Sequence, residues 1–384
     1  MTRTLPNSAI STHGIPGQNT DASGAMPNRT DGPDAEISLP VVVDNYRALG
    51  AFAPQTECGA VVKADAYGHG ALQVSKALYA AGCRTFFVAY PHEGMEVRKA
   101  VGDDAVIHVF NGITETDCPL FEAARLSAVC NREEEIHLWL SSGLQTGYVL
   151  HFDTGMNRLG LNSDQVSDIA ALTKQHPPTL VMSHLACADQ PQNEMNAKQL
   201  DRFRKIAQHF PSARKSLCST GGIYIGPEYH FDLLRPGIGL YGGGPARPPG
   251  LKLTPALTLT APILSVFDVG EDETIGYGAS FTVKRPMTLA TVALGYADGY
   301  LRSASNFGFG MRNGVPCPIM GRVSMDLITV DVSDLEERPS PGDRIEFIGP
   351  KAGLEIQAEA AGSIGYELTS RLGGRICKSW RTEE

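Results

Sequence analysis

The segment GAVVKADAYGHG (59–70) joins a short apolar run to a lysine and then to a polar, glycine-rich stretch. Short β-branched runs of this kind are typical of buried strands. Seven comparable runs follow along the chain: TFFVAY (85–90), AVIHVF (105–110), LSAVCN (126–131), GYVLHFD (147–153), TLVMSHLA (179–186), KSLCSTGG (215–222) and LLRPGIGLYG (233–242). Amphipathic stretches such as ALQVSKALYAAG (71–82) and NAKQLDRFRKIAQHF (196–210) lie between them and predict helices. Eight alternating units of this kind predict a (β/α)8 barrel.

A doubly wound sheet would also alternate strands with helices. The count of eight strand candidates, and the absence of a G-x-G-x-x-G pattern after the first one, favour the barrel. The stretch GGGPARPPG (242–250) is typical of a linker, and the chain beyond it shows strand-like runs with few helical patterns. We therefore predict an α/β fold with a TIM-type barrel over residues 35–246 and a smaller, mainly antiparallel β domain over residues 247–384.

The composition excludes several classes of protein. Residues 1–34 are rich in small and polar residues, and we expect a disordered tail there rather than a signal peptide. No run is long and apolar enough to span a membrane. The formal net charge of −9 argues against a nucleic-acid-binding protein. None of the eight cysteines forms a C-x-x-C pair, so we expect reduced thiols, no metal site and a cytoplasmic location.

Lys63 stands where the first predicted strand ends, on the face of a barrel where active sites assemble. Partial burial at a strand end lowers the pKa of a lysine, which favours the free amine that a Schiff base requires. An isolated lysine of this kind would more often be a surface residue. The apolar run before Lys63 and the polar segment after it favour a buried, functional lysine.

The segment AVVKADAYGHG (60–70) closely resembles the pyridoxal-phosphate lysine motif of alanine racemases. The resemblance continues, in the same order, through FDTGMNRLG (152–160), SHLACAD (183–189), FDLLRPGIGLYGG (231–243), IGYGASF (275–281), GYADGY (295–300) and MGRVSMD (320–326). It extends from about residue 36 to the end of the chain. It implies a pyridoxal 5′-phosphate enzyme that interconverts L- and D-alanine, for peptidoglycan or for alanine catabolism. It further implies a homodimer whose active sites are shared between subunits.

The resemblance also assigns a role to each matching residue. It implies that Lys63 holds the cofactor as a Schiff base and is the base on one face of the substrate, with Tyr277 as the base on the other. The residues it implies for cofactor binding are Lys63, Tyr67, His184, Ser219, Thr220, Arg235, Gly237 and Ile238. For the substrate carboxylate it implies Arg158 and the backbone of Met325.

Elementary chemistry agrees with the roles at the phosphate and the pyridine nitrogen. The segments CSTGG (218–222) and RPGIG (235–239) follow the last two predicted barrel strands, where barrels often bind phosphate. Each glycine-rich patch alone would predict only a turn. A guanidinium such as that of Arg235 cannot accept a proton, so a pyridine nitrogen facing it stays unprotonated. The resulting carbanion is less delocalised, which suits prompt return of the proton and disfavours transamination.

Two positions depart from the family pattern. His151 stands where many members carry a lysine, often carbamylated, so the support for Arg158 must come from another group, such as an ion or a hydrogen bond from His151. Gly374 stands where some members carry a phosphate-binding tyrosine, so one phosphate contact is missing or replaced.

Three alternatives remain at the level of the sequence. A racemase of broader amino-acid specificity has no sequence feature that separates it from an alanine racemase. An amino-acid decarboxylase with the same cofactor would place a carboxylate at the pyridine nitrogen, and Arg235 argues against it. A non-catalytic, cofactor-carrying barrel would have no second domain, which residues 251–384 contradict.

Overall fold

The computed structural model describes residues 32–383. The disordered tail that we expected over residues 1–34 therefore lies, up to residue 31, outside the described residues. The described chain begins with strand β1 (Asp34–Ser38) and helix α1 (Leu39–Phe52). Helix α1 has Pro40 in its first turn, where a proline costs no intrahelical hydrogen bond.

Eight parallel strand positions follow and close into a barrel. The first position is divided between β2 (Glu57–Cys58) and β3 (Ala60–Val61). The others are β4 (Thr85–Val88), β5 (Val106–Val109), β6 (Leu126–Cys130), β7 (Val149–Asp153) with the short β8 (Leu161–Asn162) beside it, β9 (Leu180–Met182), β10 (Arg214–Ser216) and β11 (Leu233–Leu234). Strand β11 pairs in parallel with β2, and the N–H of Arg235 donates to the carbonyl of Cys218 (2.9 Å). These contacts close the ring, and the predicted barrel is confirmed.

Helices alternate with these strands as the sequence pattern predicts. They are α3 (Ala71–Ala80), α4 (Pro91–Ala100), α5 (Cys118–Ala123), α6 (Glu133–Ser141), α7 (Val166–Leu172), α8 (Glu194–Gln208) and α9 (Thr220–Ile225). The short segment α2 (Lys63–Tyr67) before α3 is a left-handed turn and not an ordinary helix. Helix α8 covers most of the predicted span 196–210, and the side chain of Asn193 accepts a hydrogen bond from the N–H of Met195 at its start. Short 3-10 turns occupy Glu115–Asp117, Ser163–Gln165, Pro227–Tyr229, Ile238–Tyr241, Tyr277–Ala279, Tyr296–Asp298 and Arg302–Ala304.

The chain after the barrel forms the predicted, mainly antiparallel β domain. Its strands are β12 (Leu257–Val269), β13 (Thr274–Ile275), β14 (Phe281–Thr282), β15 (Met287–Val292), β16 (Phe309–Arg312), β17 (Val315–Pro318), β18 (Ile328–Asp331), β19 (Arg344–Ile348) and β20 (Cys377–Arg381). Its helices are α10 (Leu354–Ala360) and α11 (Gly365–Ser370). The main sheet runs in the order β17-β16-β19-β12-β1-β20, and β15 joins β12 to β18.

The first strand, β1, belongs to this second sheet. We expected residues 35–246 to form the barrel domain, yet β1 pairs antiparallel with β12 and parallel with β20. The side chain of Asp34 forms an ion pair with Arg344 of β19 (2.6 Å), which adds a third contact with the same sheet. In the sequence, the barrel therefore lies between β1 and the later strands of the β domain.

A packed core fills the barrel beneath its mouth. The side chains of this inner cluster are Val61, Phe87, Val129, Val149, Leu180, Met182 and Leu233. Interior layers of this kind leave no channel through a barrel, so any binding site must lie at an end. No helix within residues 32–383 has the length and apolar character that crossing a membrane requires. The same residues contain no group of three or more His, Cys, Asp or Glu side chains placed to hold a metal ion.

Candidate active site

A cavity of about 700 Å³ lies at the carboxyl ends of the barrel strands. Nine of the predicted site residues line it: Lys63, Tyr67, Arg158, His184, Ser219, Thr220, Arg235, Gly237 and Ile238. These residues follow different strands of the barrel and are far apart in the sequence, and closure of the barrel brings them together. The cavity has the size expected of a site for a cofactor with a small substrate.

Lys63 opens a turn of left-handed backbone. The φ angles of Ala64, Asp65, Ala66 and Tyr67 lie between 52° and 54°, a region that costs about 1–2 kcal/mol for each residue with a side chain. Two carboxylates hold the turn: Glu93 accepts a hydrogen bond from the N–H of Ala64 (2.7 Å), and Asp65 accepts one from the N–H of Ala71 (2.8 Å). Strain that the surroundings stabilise in this way is frequent at functional sites.

The amine of Lys63 lies in a setting that favours its neutral form. Its Nζ is 5.8 Å from the centroid of the Phe110 ring. Burial lowers the pKa of Lys63, the positive charge of Arg158 lowers it further, and Glu93 partly opposes both effects. A larger fraction of the amine is then unprotonated at neutral pH and available as a nucleophile or base.

The loops after β10 and β11 form a cradle suited to an anion. The hydroxyl oxygen of Thr220 accepts hydrogen bonds from the N–H groups of Gly237 (3.1 Å) and Gly239 (3.2 Å), which leaves its own hydrogen free to donate into the cavity. A Cβ on Gly237 would lie 2.4 Å from the hydroxyl of Tyr67, so only glycine permits this approach. Within residues 32–383, the N–H of Ile238 donates to no other group. Hydrogen-bond donors that point toward one place, with no carboxylate beside them to repel an anion, suit a phosphate group.

Arg235 is buried in the cavity floor and is paired only with neutral acceptors. Its guanidinium donates to the hydroxyl of Ser216 and to the carbonyls of Ser183 (2.6 Å) and Leu217 (3.5 Å). Burial lowers its pKa to about 10, so it stays protonated at neutral pH. The carboxylate of Asp232 accepts from the N–H of Lys215 (2.8 Å) instead, so an ion pair with Arg235 does not account for this arginine.

Two neutral histidines complete the cavity wall. Burial, followed by the charge of Arg235, holds the pKa of His184 well below its ordinary value. The same two causes lower the pKa of His151 to about 4. The Nδ1 of His151 lies 2.7 Å from the Oδ1 of Asn131. Both rings are therefore uncharged at neutral pH.

Tyr277 and Met325 lie outside this cavity. They belong to the β domain and are 70% and 53% exposed. The loop that carries Met325 packs against the segment GYADGY, since the N–H of Ala297 donates to the Met325 carbonyl (2.9 Å). A Cβ on Gly278, the residue after Tyr277, would lie 2.9 Å from Nη1 of Arg322, so a guanidinium lies beside this glycine. The structure of one chain therefore does not bring Lys63 and Tyr277 together.

The cavity also includes residues that sequence reasoning did not find. Phe110 and Asn111 follow β5, and Met182 ends β9. Their strand-end positions are the same signal that singled out Lys63. Tyr366 and Ser370 come from α11 of the β domain, and no motif or spacing marked them.

Comparison with protein families gives two matches that together cover most of the chain. Residues 37–245 match the N-terminal domain model of alanine racemase, and residues 256–380 match the C-terminal domain model. The two matches correspond to the barrel and to the β domain after the linker. The first match begins at residue 37, inside strand β1, so most of that strand precedes it.

Similar proteins include the alanine racemase of Dinoroseobacter shibae, 42% identical over 90% of this chain and 97% of that protein. A catabolic alanine racemase of Agrobacterium fabrum is 42% identical over 90% of this chain and 91% of its own length. The crystal structure of alanine racemase from Bartonella henselae with covalently bound pyridoxal phosphate has a TM-score of 0.86 and 34% identity, covering 91% of this chain and 99% of that one. From the two family matches and these likenesses in sequence and fold, the chain belongs to the alanine racemase family.

Proposed function

We propose that this protein interconverts L-alanine and D-alanine with pyridoxal 5′-phosphate held by Lys63. The observation that carries the proposal is one cavity that joins a lysine of lowered pKa, an anion cradle and a buried arginine that has no carboxylate partner within residues 32–383. The amine would carry the cofactor, the cradle around Thr220 its phosphate, and Arg235 would face its pyridine nitrogen. When bound, this cofactor supplies an electron sink that makes the hydrogen on the substrate Cα acidic.

Lys63 would remove the Cα proton on one face of the substrate, or return it there. Its depressed pKa suits this role, because general bases work best when their pKa lies near the working pH. The adjoining ring of Phe110 contributes an apolar wall that limits water around the amine. Arg158 lies near enough for its charge to act on Lys63, and it would bind the substrate carboxylate.

Arg235 supports racemisation over decarboxylation. Its three partners are a hydroxyl and two carbonyls, so within residues 32–383 no carboxylate stands at this position to keep a pyridine nitrogen protonated. A protonated pyridine would stabilise a longer-lived carbanion and favour side reactions. The guanidinium, which cannot accept a proton, favours the prompt return of the proton to Cα.

The second base would be Tyr277 of a partner subunit. A racemase must deliver protons to both faces of Cα, and one lysine reaches only one face. In a single chain, Tyr277 and Met325 are exposed and lie outside the Lys63 cavity. A two-fold homodimer would cover each barrel mouth with the β domain of the other subunit and make both sites equivalent. Phe307, which is 74% exposed, adds to the apolar surface of that domain.

Two physiological roles fit the activity: supply of D-alanine for peptidoglycan and catabolism of alanine. We place the protein in the cytoplasm, since its eight cysteines form no disulfide within the described residues and five of them are buried. Deleting the gene would separate the roles. If the deleted strain required added D-alanine for growth, the protein would serve peptidoglycan synthesis. If the strain lost growth on alanine as a nutrient, the protein would serve alanine catabolism.

A racemisation assay over a panel of amino acids tests the proposed activity. The expected result is loss of optical rotation from L-alanine without release of carbon dioxide, and slower turnover of larger amino acids. Equal rates across the panel would indicate a racemase of broader amino-acid specificity instead of an alanine racemase. Carbon dioxide release would identify a decarboxylase, and no turnover together with no bound cofactor would overturn the proposal.

A further inference from the structure

The peptide group of Met325 is held at its carbonyl and free at its N–H. The carbonyl accepts a hydrogen bond from the N–H of Ala297 (2.9 Å), and the carbonyl of Ser324 accepts one from the N–H of Tyr296 (3.0 Å). A Cβ on Gly295 would lie 2.2 Å from the Met325 carbonyl oxygen, so only glycine permits this approach. Within residues 32–383 the N–H of Met325 forms no hydrogen bond. This donor is therefore available to a ligand, and its direction is set by the segment against which Met325 packs.

That segment is held by a buried carboxylate. Asp298 ends the 3-10 turn that follows Gly295, and it is 1% exposed. Its Oδ2 accepts a hydrogen bond from the N–H of Gly295 (2.8 Å), and its carbonyl accepts one from the N–H of Gly373 (2.9 Å). Its Oδ1 accepts no hydrogen bond within residues 32–383. A buried, charged oxygen of this kind is costly unless a cation lies beside it.

Arg375 is that cation, and its guanidinium reaches two carboxylates at once. Its Nε lies 3.0 Å from Oδ1 of Asp298, and its Nη1 donates to Oδ1 of Asp326 (2.7 Å), the residue after Met325. Among residues 32–383, neither carboxylate forms an ion pair with another cation. The guanidinium therefore links the segment that ends at Asp298 to the loop that carries Met325.

We propose that Arg375 is a positioning residue for substrate binding: by joining Asp298 to Asp326, it holds the peptide of Met325 so that the free N–H meets the substrate carboxylate. This role rests on the proposed function, in which Met325 acts at the cavity of a partner subunit. The guanidinium of Arg375 touches no reacting atom. A donor held in place before binding loses little conformational freedom when the substrate arrives, so it binds the carboxylate more tightly than a mobile donor would.

A donor to the carboxylate should affect substrate binding more than the chemical step. The carboxylate keeps its charge throughout racemisation, so the N–H of Met325 would stabilise the bound substrate and the transition state alike. Loss of such uniform binding raises KM and leaves kcat nearly unchanged. A general structural defect lowers the fraction of active enzyme instead, which lowers kcat at constant KM.

Two variants of the holoenzyme test this expectation. Arg375→Leu removes the link, and KM for L-alanine should rise about 10-fold, as expected when a hydrogen bond to a charged group is weakened, while kcat stays within about threefold. The double variant Arg375→Leu with Asp298→Asn should show the same rise, and it leaves no unpaired buried charge to destabilise the domain. Arg338→Leu is the matched control, because the Arg338 side chain is 51% exposed, against 52% for Arg375, and pairs with Asp268 (2.8 Å) in the same domain. An unchanged KM in both folded Arg375 variants would overturn the inference.

A mixed dimer separates positioning from general damage. Pairing a Lys63→Ala chain with a Tyr277→Phe chain leaves one working site, which combines the lysine of the second chain with the β domain of the first. Arg375→Leu in the Lys63→Ala chain should raise KM about 10-fold, because that chain supplies Met325 to the working site. The same substitution in the Tyr277→Phe chain should leave KM unchanged. Equal KM values for the two placements would show that Arg375 does not position Met325.

Hydrogen–deuterium exchange of the holoenzyme gives a readout that needs no activity. The N–H groups of Tyr296 and Ala297 are bonded to Ser324 and Met325, so they should lose protection in Arg375→Leu and keep it in Arg338→Leu. Unchanged protection in Arg375→Leu would contradict the link. If the parent enzyme has no racemase activity, or if the mixed dimer without an Arg375 change stays inactive after proven exchange, the proposed function fails. The exchange data then still decide whether Arg375 holds the peptide of Met325.

Discussion

The carboxylate of Asp65 lies 2.9 Å from Nζ of Lys378, and this ion pair joins the turn that begins at Lys63 to the last strand of the β domain. A second contact lies beside it, where the indole N–H of Trp380 donates to the carbonyl of His69 (2.8 Å). The left-handed turn is thus held by the barrel from one side and by β20 from the other. The position of Lys63 therefore depends on both domains.

Gly68→Ala should destabilise the protein more than Gly82→Ala. Both glycines have positive φ angles, +86° and +103°, so alanine at either costs about 1–2 kcal/mol. At Gly68 the new Cβ would also lie 2.1 Å from the carbonyl oxygen of Thr369, whereas nothing lies within 4 Å at Gly82. Urea unfolding of both variants measures the difference. Equal free energies of unfolding would show that α11 does not constrain the turn.

Lys63→Ala should abolish racemisation and the visible absorbance of the lysine-bound cofactor. The reason is the half-buried position of Lys63 among the cavity residues, with its lowered pKa. Lys76→Ala, at an exposed position on α3, is the control and should retain both properties. Normal turnover by the Lys63 variant without an added amine would show that Lys63 does not hold the cofactor.

Arg235→Glu should increase transamination as a side reaction. A carboxylate at this position would accept a hydrogen bond from the protonated pyridine nitrogen and keep it protonated, which would strengthen the electron sink. The measurement is pyruvate formed for each racemisation event. Arg235→Gln controls for loss of the hydrogen bonds to Ser183 and Leu217, since a neutral amide leaves the pyridine unprotonated. A similar rise in both variants, or in neither, would argue against contact between residue 235 and the pyridine.

Tyr366→Phe should weaken cofactor binding about 2-fold to 12-fold, the loss expected for one hydrogen bond. Tyr366 lines the cavity with its ring 6.1 Å from that of Tyr67, and Gly374 offers no hydroxyl where some relatives carry a tyrosine. Tyr224→Phe is the control, because that hydroxyl is buried without a partner within residues 32–383 and does not line the cavity. Titration of the apoenzyme with pyridoxal phosphate gives the dissociation constants. Equal dissociation constants for the two variants would indicate that other donors in the cavity bind the phosphate and that Tyr366 does not.

Mixing two inactive variants, Lys63→Ala and Tyr277→Phe, should restore activity. In a heterodimer with shared sites, one site contains both bases and the other contains neither, so the activity per heterodimer should approach half of the parent value. The reason for this expectation is that Tyr277 is exposed and lies outside the cavity of its own chain. Native mass spectrometry establishes subunit exchange. An inactive mixture with proven exchange would place both bases in one chain.

Local patterns in the sequence predicted the barrel and most of the cavity. Each short apolar run became a strand, and the polar residues after these runs, such as Lys63 and Thr220, meet at one end because parallel strands end on the same face. The same criterion applied to Asn111 would have found it too. Neither the left-handed turn at Ala64–Tyr67 nor Tyr366 was predictable, because both depend on contacts with residues distant in sequence.

The pairing of β1 was unpredictable for a related reason. Its partners in β12 and β20 begin at residues 257 and 377, and nothing within five residues of sequence specifies a neighbour so far along the chain. The contact between Nδ1 of His151 and Oδ1 of Asn131 is a further example, since these residues follow different strands. Such properties belong to the folded molecule and not to a motif.

The place of β1 between β12 and β20 also sets an order of events during synthesis. The ribosome releases β1 before any barrel residue, but its neighbours β12 and β20 emerge only after the barrel strands. The barrel can therefore assemble on the nascent chain, while the β domain cannot close until β20 has emerged. A fragment that begins at residue 247 would lack the strand between β12 and β20, and it would expose two unpaired edges prone to aggregation.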